Sequence, residues 1–288
     1  GDVVLSLPVA GLLRGRYPNA AISFLGTQYS VPLLEDCPDI NHVWNWTDLQ
    51  VYTDADIIKK LKDAKIDVII YLHPCTRLAK LAKKAGIPCR IGKMQFFHRD
   101  WWYYTHRIRK SSHIPSHQHE AEWNMQLLSP LGVRGKFTLP KLASYIHLIP
   151  TTPLPLPIEV LLSKEQFNLI LHPGSHGNGC EWPLDHFQQL VEKLSEKFKD
   201  KIQIFLSGTE SEGKRFKNLI DASPAAVNMM GKMTLPEFIT FISRADGIIV
   251  SGTGPLHIGA GLGIKTLGLF PPRRGLGLTR WAPVGVRT

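Results

Sequence analysis

The stretch SGTGPLHIGAGLGIKTLGLF, Ser251 to Phe270, reads as a turn, a helix and a strand, and its turn is built to meet an anion. Thr253 stands where a helix cap belongs, Gly254 lets a ligand approach the backbone, and apolar Leu256, Ile258, Ala260 and Leu262 follow before Gly261 and Gly263 end the helix. The unpaired N–H groups of such a first turn, at the positive end of the helix dipole, suit a phosphate. An ordinary crossover helix whose glycines only permit close packing fits this stretch equally well.

Three further stretches carry groups that could act with it. HPGSHGNGCEWP, residues 172–183, sets Gly174, Gly177 and Gly179 ahead of a helix opening at Trp182-Pro183, so its backbone amides are free to turn toward a diphosphate. SGTES, residues 207–211, holds Glu210, which could accept hydrogen bonds from ribose hydroxyls or stand as a solvated carboxylate at a helix start. Asp2 precedes the first helix; there a carboxylate either caps that helix or takes the proton from an attacking hydroxyl. The DxD of TDADII opens the amphipathic run Ile57, Ile58, Leu61 and is better read as an N-cap than as a metal site. The sequence has no GxxxxGK[ST] loop, no GxGxxG at the head of the first half, and no HExxH or GxSxG.

The elements that must position these groups alternate. Residues 1–145 give a helix ending near Pro18, a strand at AISFLG, a helix at DADIIKKLKDAK, a strand at DVIIYLHP and a helix at TRLAKLAKKAG. Pro150, Pro153, Pro155 and Pro157 forbid a helix and mark residues 150–158 as a linker between a domain at 1–149 and another at 159–288. Alternation then resumes with strands at FNLILHP, KIQIFLSG, AVNMMG and DGIIVSG. Between them lie helices, one carrying Leu184, Phe187, Leu190, Val191, Leu194 and Phe198 on a single face and another opening with Thr234 and Glu237 as a capping box. The expected architecture is α/β, two Rossmann-like domains facing across a cleft, with the chemistry at the carboxyl ends of the strands. A doubly wound domain opens on a strand, whereas Gly1-Asp2 leads into a helix and RWAPVGVRT closes without one; the sequence therefore reads as truncated at both ends.

Composition bounds the partners. With 43% hydrophobic and 20% charged residues, no apolar run long enough to span a bilayer and no signal peptide, a cytosolic globular protein is expected. Cys37, Cys75, Cys89 and Cys180 stand apart without CxxC spacing, which indicates neither a zinc site nor a disulfide framework. The net charge is +10, and residues 1–155 hold 19 Lys and Arg against 12 Asp and Glu. Within them, RIGKMQFFHRDWWYYTHRIRK brings Arg90, Lys93, Arg99, Arg107, Arg109 and Lys110 among six aromatics. Such a mixture suits a nucleic-acid surface, a membrane headgroup zone, or a loop with a self-contained aromatic cluster.

In order and spacing, GDVVLSLPVAGLLRGRYP, HQHEAEWNMQLLSPLGV, LHPGSHGNGCEWPLDHF and GKMTLPEFITFISRADGIIVSGTGPLHIGAGLGIKTLGLFPP resemble the bacterial heptosyltransferases of lipopolysaccharide core assembly, glycosyltransferase family 9. The resemblance implies the GT-B architecture and an inverting, metal-independent transfer of heptose from ADP-heptose to the phosphorylated inner core, without a cofactor. It makes Asp2 the base, Gly174 and Ser175 diphosphate contacts, Glu210 a ribose ligand, Met233 an adenine contact, and Thr253, Gly254 and His257 the phosphate-binding turn. Two positions depart from the family pattern: Cys180 stands where Lys or Arg is usual, and Gly252 where an acid is common. Lys232, Arg273 or Arg274 could substitute for the cation. Arg99, Arg107 and Arg109 are then expected to meet the phosphorylated, lipid-linked acceptor at the cytoplasmic face of the inner membrane, and nucleic acid is not expected as a partner. A transferase of the same fold using another nucleotide sugar, or a weakened sugar-nucleotide binder, stands as the alternative.

Overall fold

A computed structural model describes residues 1–94, 99–109, 118–175, 181–271 and 277–288, and in it every strand pair is parallel. In the first half, β1 (Ser23–Gly26) pairs with β2 (His42–Asn45), while β3 (Val68–Tyr71), β4 (Cys89–Lys93) and β5 (His106–Ile108) form a second sheet. In the second half, β6 (Phe167–His172), β7 (Ile202–Leu206), β8 (Ala226–Asn228), β9 (Gly247–Ser251) and β10 (Lys265–Leu269) make one sheet in the order β10-β9-β6-β7-β8. β6 is buried from Asn168 to His172, as a strand covered on both faces must be, which is why it reads as a continuous apolar run rather than an alternation.

The helix Leu184–Phe198 buries Phe187 and Val191 against this sheet, with Leu184, Leu190 and Leu194 packed beside them. Phe198, expected on the same face, is 40% exposed, because the helix ends there and its last turn has left the sheet. The Pro-rich linker departs from expectation too: Leu156–Glu159 forms one helical turn, with Pro157 in the first turn where no amide donor is required. A larger departure concerns the basic aromatic stretch, which contributes β4 and β5 with a 3-10 turn, Arg99–Tyr103, between them.

The opening segment decides where the site lies. A 3-10 turn, Val4–Ser6, runs into the helix Leu7–Arg16, and buried Val4, Leu5 and Leu7 seat it against the helix Glu120–Gln126 of the first half and the helix Gly254–Gly261 of the second. Asp2 thereby stands where the two halves meet.

Candidate functional site

β6 and β9 are neighbours, and the strand order runs away from them in opposite directions, to β7 and β8 on one side and β10 on the other. Loops leaving their carboxyl ends must part, and the crevice between them is where open parallel sheets bind ligands. The two loops begin at Pro173 and Gly252, and the Ser251 hydroxyl donates to the Pro173 carbonyl at 3.3 Å, joining them at the base. Above lies a cavity of about 670 Å³, within the range of small-molecule sites. Asp2, Thr27 and Tyr29 line it from the first half; Gly174, Ser175, Glu212, Met233, Gly252, Thr253, Gly254 and His257 line it from the second.

The turn before the helix Gly254–Gly261 is open at its front. Thr253 holds the N-cap position in an extended conformation, but its hydroxyl turns back to the Ser251 carbonyl at 3.1 Å and caps none of the helix amides. The N-cap residue thus leaves the first N–H groups of that helix uncapped, as an anion site needs. His257, in the same turn, is 2% exposed and its Nδ1 has no hydrogen-bond partner among the described residues. Burial, foremost among the causes, pushes its pKa down to about 3, so the imidazole is neutral. A Cβ on Gly1 would sit 3.1 Å from the His257 ring, and one on Gly254 would sit 3.6 Å from the Gly1 nitrogen, so the Asp2 segment lies directly against this turn. Gly252 packs under Phe270, whose ring would be 2.8 Å from a Cβ there; any side chain at 252, acidic or not, requires that ring to move.

Asp2 caps nothing: the 3-10 turn that follows has Val3 at its N-cap and no side-chain cap. Its carboxylate is half exposed and lies 3.9 Å from His73 Nε2, while its carbonyl accepts the Ser6 hydroxyl at 2.8 Å. His73 follows β3 and sequence reasoning passed over it.

Of the acids after β7, the structure brings Glu212 into the cavity rather than Glu210. Glu210 lies in solvent, paired with Lys214 at 2.8 Å. Glu212 is 4% exposed and closes a capping box, accepting the Thr209 N–H at 2.8 Å while its own N–H reaches the Thr209 hydroxyl at 3.3 Å. It sits so close to the β6 loop that a Cβ on Gly174 would lie 2.0 Å from its Oε1, so any side chain there requires the Glu212 carboxyl to move. The Thr-x-x-Glu spacing was the available signal.

The remaining expected residues divide. Cys180, Arg273 and Arg274 lie outside the described residues, as does Lys110. Lys232 is exposed and absent from the cavity wall. Arg99 lies in the 3-10 turn; Arg107 and Arg109 are exposed beyond the cavity, with Arg107 over the Trp101 ring at 5.0 Å and Arg109 Nε donating to Met94 Sδ at 3.2 Å. Lys93 and Arg90 turn inward: Arg90 serves the Tyr103 carbonyl at 2.7 Å, and Lys93 donates at 2.8 Å to both Glu120 and Asn124. Glu120 also accepts Arg280 through Nε and Nη2 at 3.3 and 3.2 Å. Burial raises the Glu120 carboxyl, but Lys93 and Arg280 outweigh it and hold it below the usual range. Among the described residues, no group of three His, Cys, Asp or Glu is placed to hold a metal ion, and no helix is long and apolar enough to cross a membrane.

The sequence profile of glycosyltransferase family 9 (heptosyltransferase) matches residues 55–287. This chain belongs to that family. As a family 9 glycosyltransferase it is 25% identical over 286 residues to lipopolysaccharide heptosyltransferase 3 of Escherichia coli K12, covering 94% of this chain and 79% of that protein. The solved E. coli ADP-heptose lipopolysaccharide heptosyltransferase II superposes with a TM-score of 0.74 at 17% identity, over 100% of this chain and 86% of the other. E. coli heptosyltransferase WaaC with ADP gives 0.72 at 17% identity, over 99% and 88%. The GT-B fold with two Rossmann-like domains expected from the sequence is the fold of this family 9 enzyme.

Proposed function

We propose that the cavity binds ADP-heptose and that the enzyme transfers its heptose, with inversion and without a metal ion, to the inner core of lipopolysaccharide. The observation that carries this reading is the seating of Asp2 against the open front of the Gly254 helix, in one cavity shared by the two halves. Relatives named as lipopolysaccharide heptosyltransferases support the sugar and the acceptor.

In this reading the diphosphate lies across Gly174, Ser175, Thr253 and Gly254, where backbone amides and the helix dipole stabilise the charge that grows on the leaving group. His257, being neutral, adds hydrogen-bonding capacity and no charge. Met233 offers an apolar face for adenine. Asp2 takes the proton of the acceptor hydroxyl as its oxygen attacks the anomeric carbon; the bond to the diphosphate breaks on the opposite face, and the electron pair leaves with ADP. Arg107 and Arg109 form part of the basic surface that meets the phosphorylated acceptor and the anionic inner membrane at its cytoplasmic face.

Titration calorimetry with ADP, UDP and GDP tests the donor. ADP should bind in clear preference; equal affinity for all three removes the adenine assignment. Mass spectrometry of lipopolysaccharide acceptors incubated with ADP-heptose tests the transfer.

A further inference from the structure

One oxygen beside the donor loop is the meeting point of three donors. Glu181 Oε1 accepts the Ser175 backbone N–H at 2.8 Å, the Ser175 hydroxyl at 3.0 Å and Arg215 Nη2 at 2.5 Å. The donors come from two elements far apart in sequence, the loop after β6 and the end of the helix Glu210–Arg215. Ser175 is buried and lines the cavity, whereas Arg215 is half exposed. The Arg215 guanidinium also lies 4.3 Å from the Phe216 ring centroid, a cation–π contact made by the same fork that reaches Glu181.

A backbone amide, a hydroxyl and a guanidinium around one oxygen make an anion site, and a carboxylate oxygen satisfies them as a phosphoryl oxygen would. Partial burial pushes the Glu181 carboxyl up, but the Arg215 and Ser175 hydrogen bonds outweigh it and hold it below its ordinary value, so the occupant is charged at neutral pH. Glu212 stands beside Gly174 in the same wall, its carboxyl oxygen accepting the Thr209 N–H. An incoming diphosphate thus meets the Glu181 carboxylate and needs a cation from the protein to offset it.

We infer that Glu181 is an internal stand-in for a phosphoryl oxygen: the diphosphate of the donor displaces it from Ser175 and takes over Arg215, which then faces the leaving group. This rests on the donor assignment above. It gives the enzyme a cation delivered from the β7 side of the crevice, and a carboxylate that competes with the donor until it binds.

Calorimetry with ADP and with adenosine on the full chain separates the possibilities. Glu181→Gln removes the competing charge and should tighten ADP about tenfold, with adenosine affinity unchanged. Arg215→Gln should weaken ADP by about tenfold or more, Arg215→Lys should recover part of that loss, and Lys217→Gln, which removes a surface cation paired with Asp221, should do nothing. Tightening by E181Q together with weakening by R215Q supports the inference. Unchanged or weaker ADP binding by a folded E181Q, or an R215Q indistinguishable from K217Q, overturns it while leaving the donor site standing. Should E181Q not fold, the three Arg215 and Lys217 variants decide the matter. A wild-type protein that binds no ADP overturns the donor assignment, and this inference with it.

Discussion

At the scale of single residues, Asp2 is held by its backbone and exposes its carboxylate, because the Ser6 hydroxyl fixes the carbonyl while no helix amide uses the side chain. Asp2→Asn should therefore leave folding and ADP affinity intact and lower turnover by about 10²–10⁴, the usual worth of a general base. A variant retaining more than about half its activity would leave the reaction without a named base. That Asp2, Thr253 and Gly254 gather at one cavity was legible, because each stands at the head of a helix, where open parallel sheets collect ligand-binding groups. Glu210 was singled out and Glu212 passed over, since two acids in one first turn look alike in a sequence and only the capping box turns the third position inward. The structure predicts their separation. Glu212→Ala should cost about 1–2 kcal/mol of stability in chemical denaturation and change ADP binding, and Glu210→Ala should alter neither measurably.

At the scale of elements, the second-half sheet was readable because buried parallel strands are apolar runs, and β6, β7 and β9 fall where those runs stand. β4 and β5 were hidden by charge. CRIGK and HRI look like surface sequence, yet Arg90 and Lys93 spend their charges on a carbonyl and a buried carboxylate. That leaves Arg107 and Arg109 as the exposed pair on β5 and just beyond it. Replacing both by Gln should raise the acceptor KM and leave the donor KM alone, and the wild-type acceptor KM should climb with salt as exposed ion pairs are screened. Acceptor kinetics indifferent to both changes would make the stretch purely structural.

At the scale of the whole molecule, the contact between halves was not legible at all, because Glu120 and Arg280 lie 160 positions apart and nothing in either neighbourhood announces the other. Removing one partner of a buried ionic group leaves its companions uncompensated. Glu120→Gln should lower stability by about 3 kcal/mol in denaturant titrations at neutral pH. The sign with pH follows from a carboxyl held low in the folded state: its contribution is full above the unfolded pKa of about 4.3 and is lost as pH falls through the folded one, so the two proteins should converge in acid.

That distance in sequence is also a distance in time. A ribosome adding about 5–20 residues per second needs roughly ten to thirty seconds to pass from Glu120 to Arg280. His119 waits as long for the Ala282 carbonyl, which its ring nitrogen meets at 2.9 Å. Throughout that interval the nascent first half carries a half-neutralised acid on an unsealed helix, so it emerges early and finishes late, closed by residues from the far end of the chain.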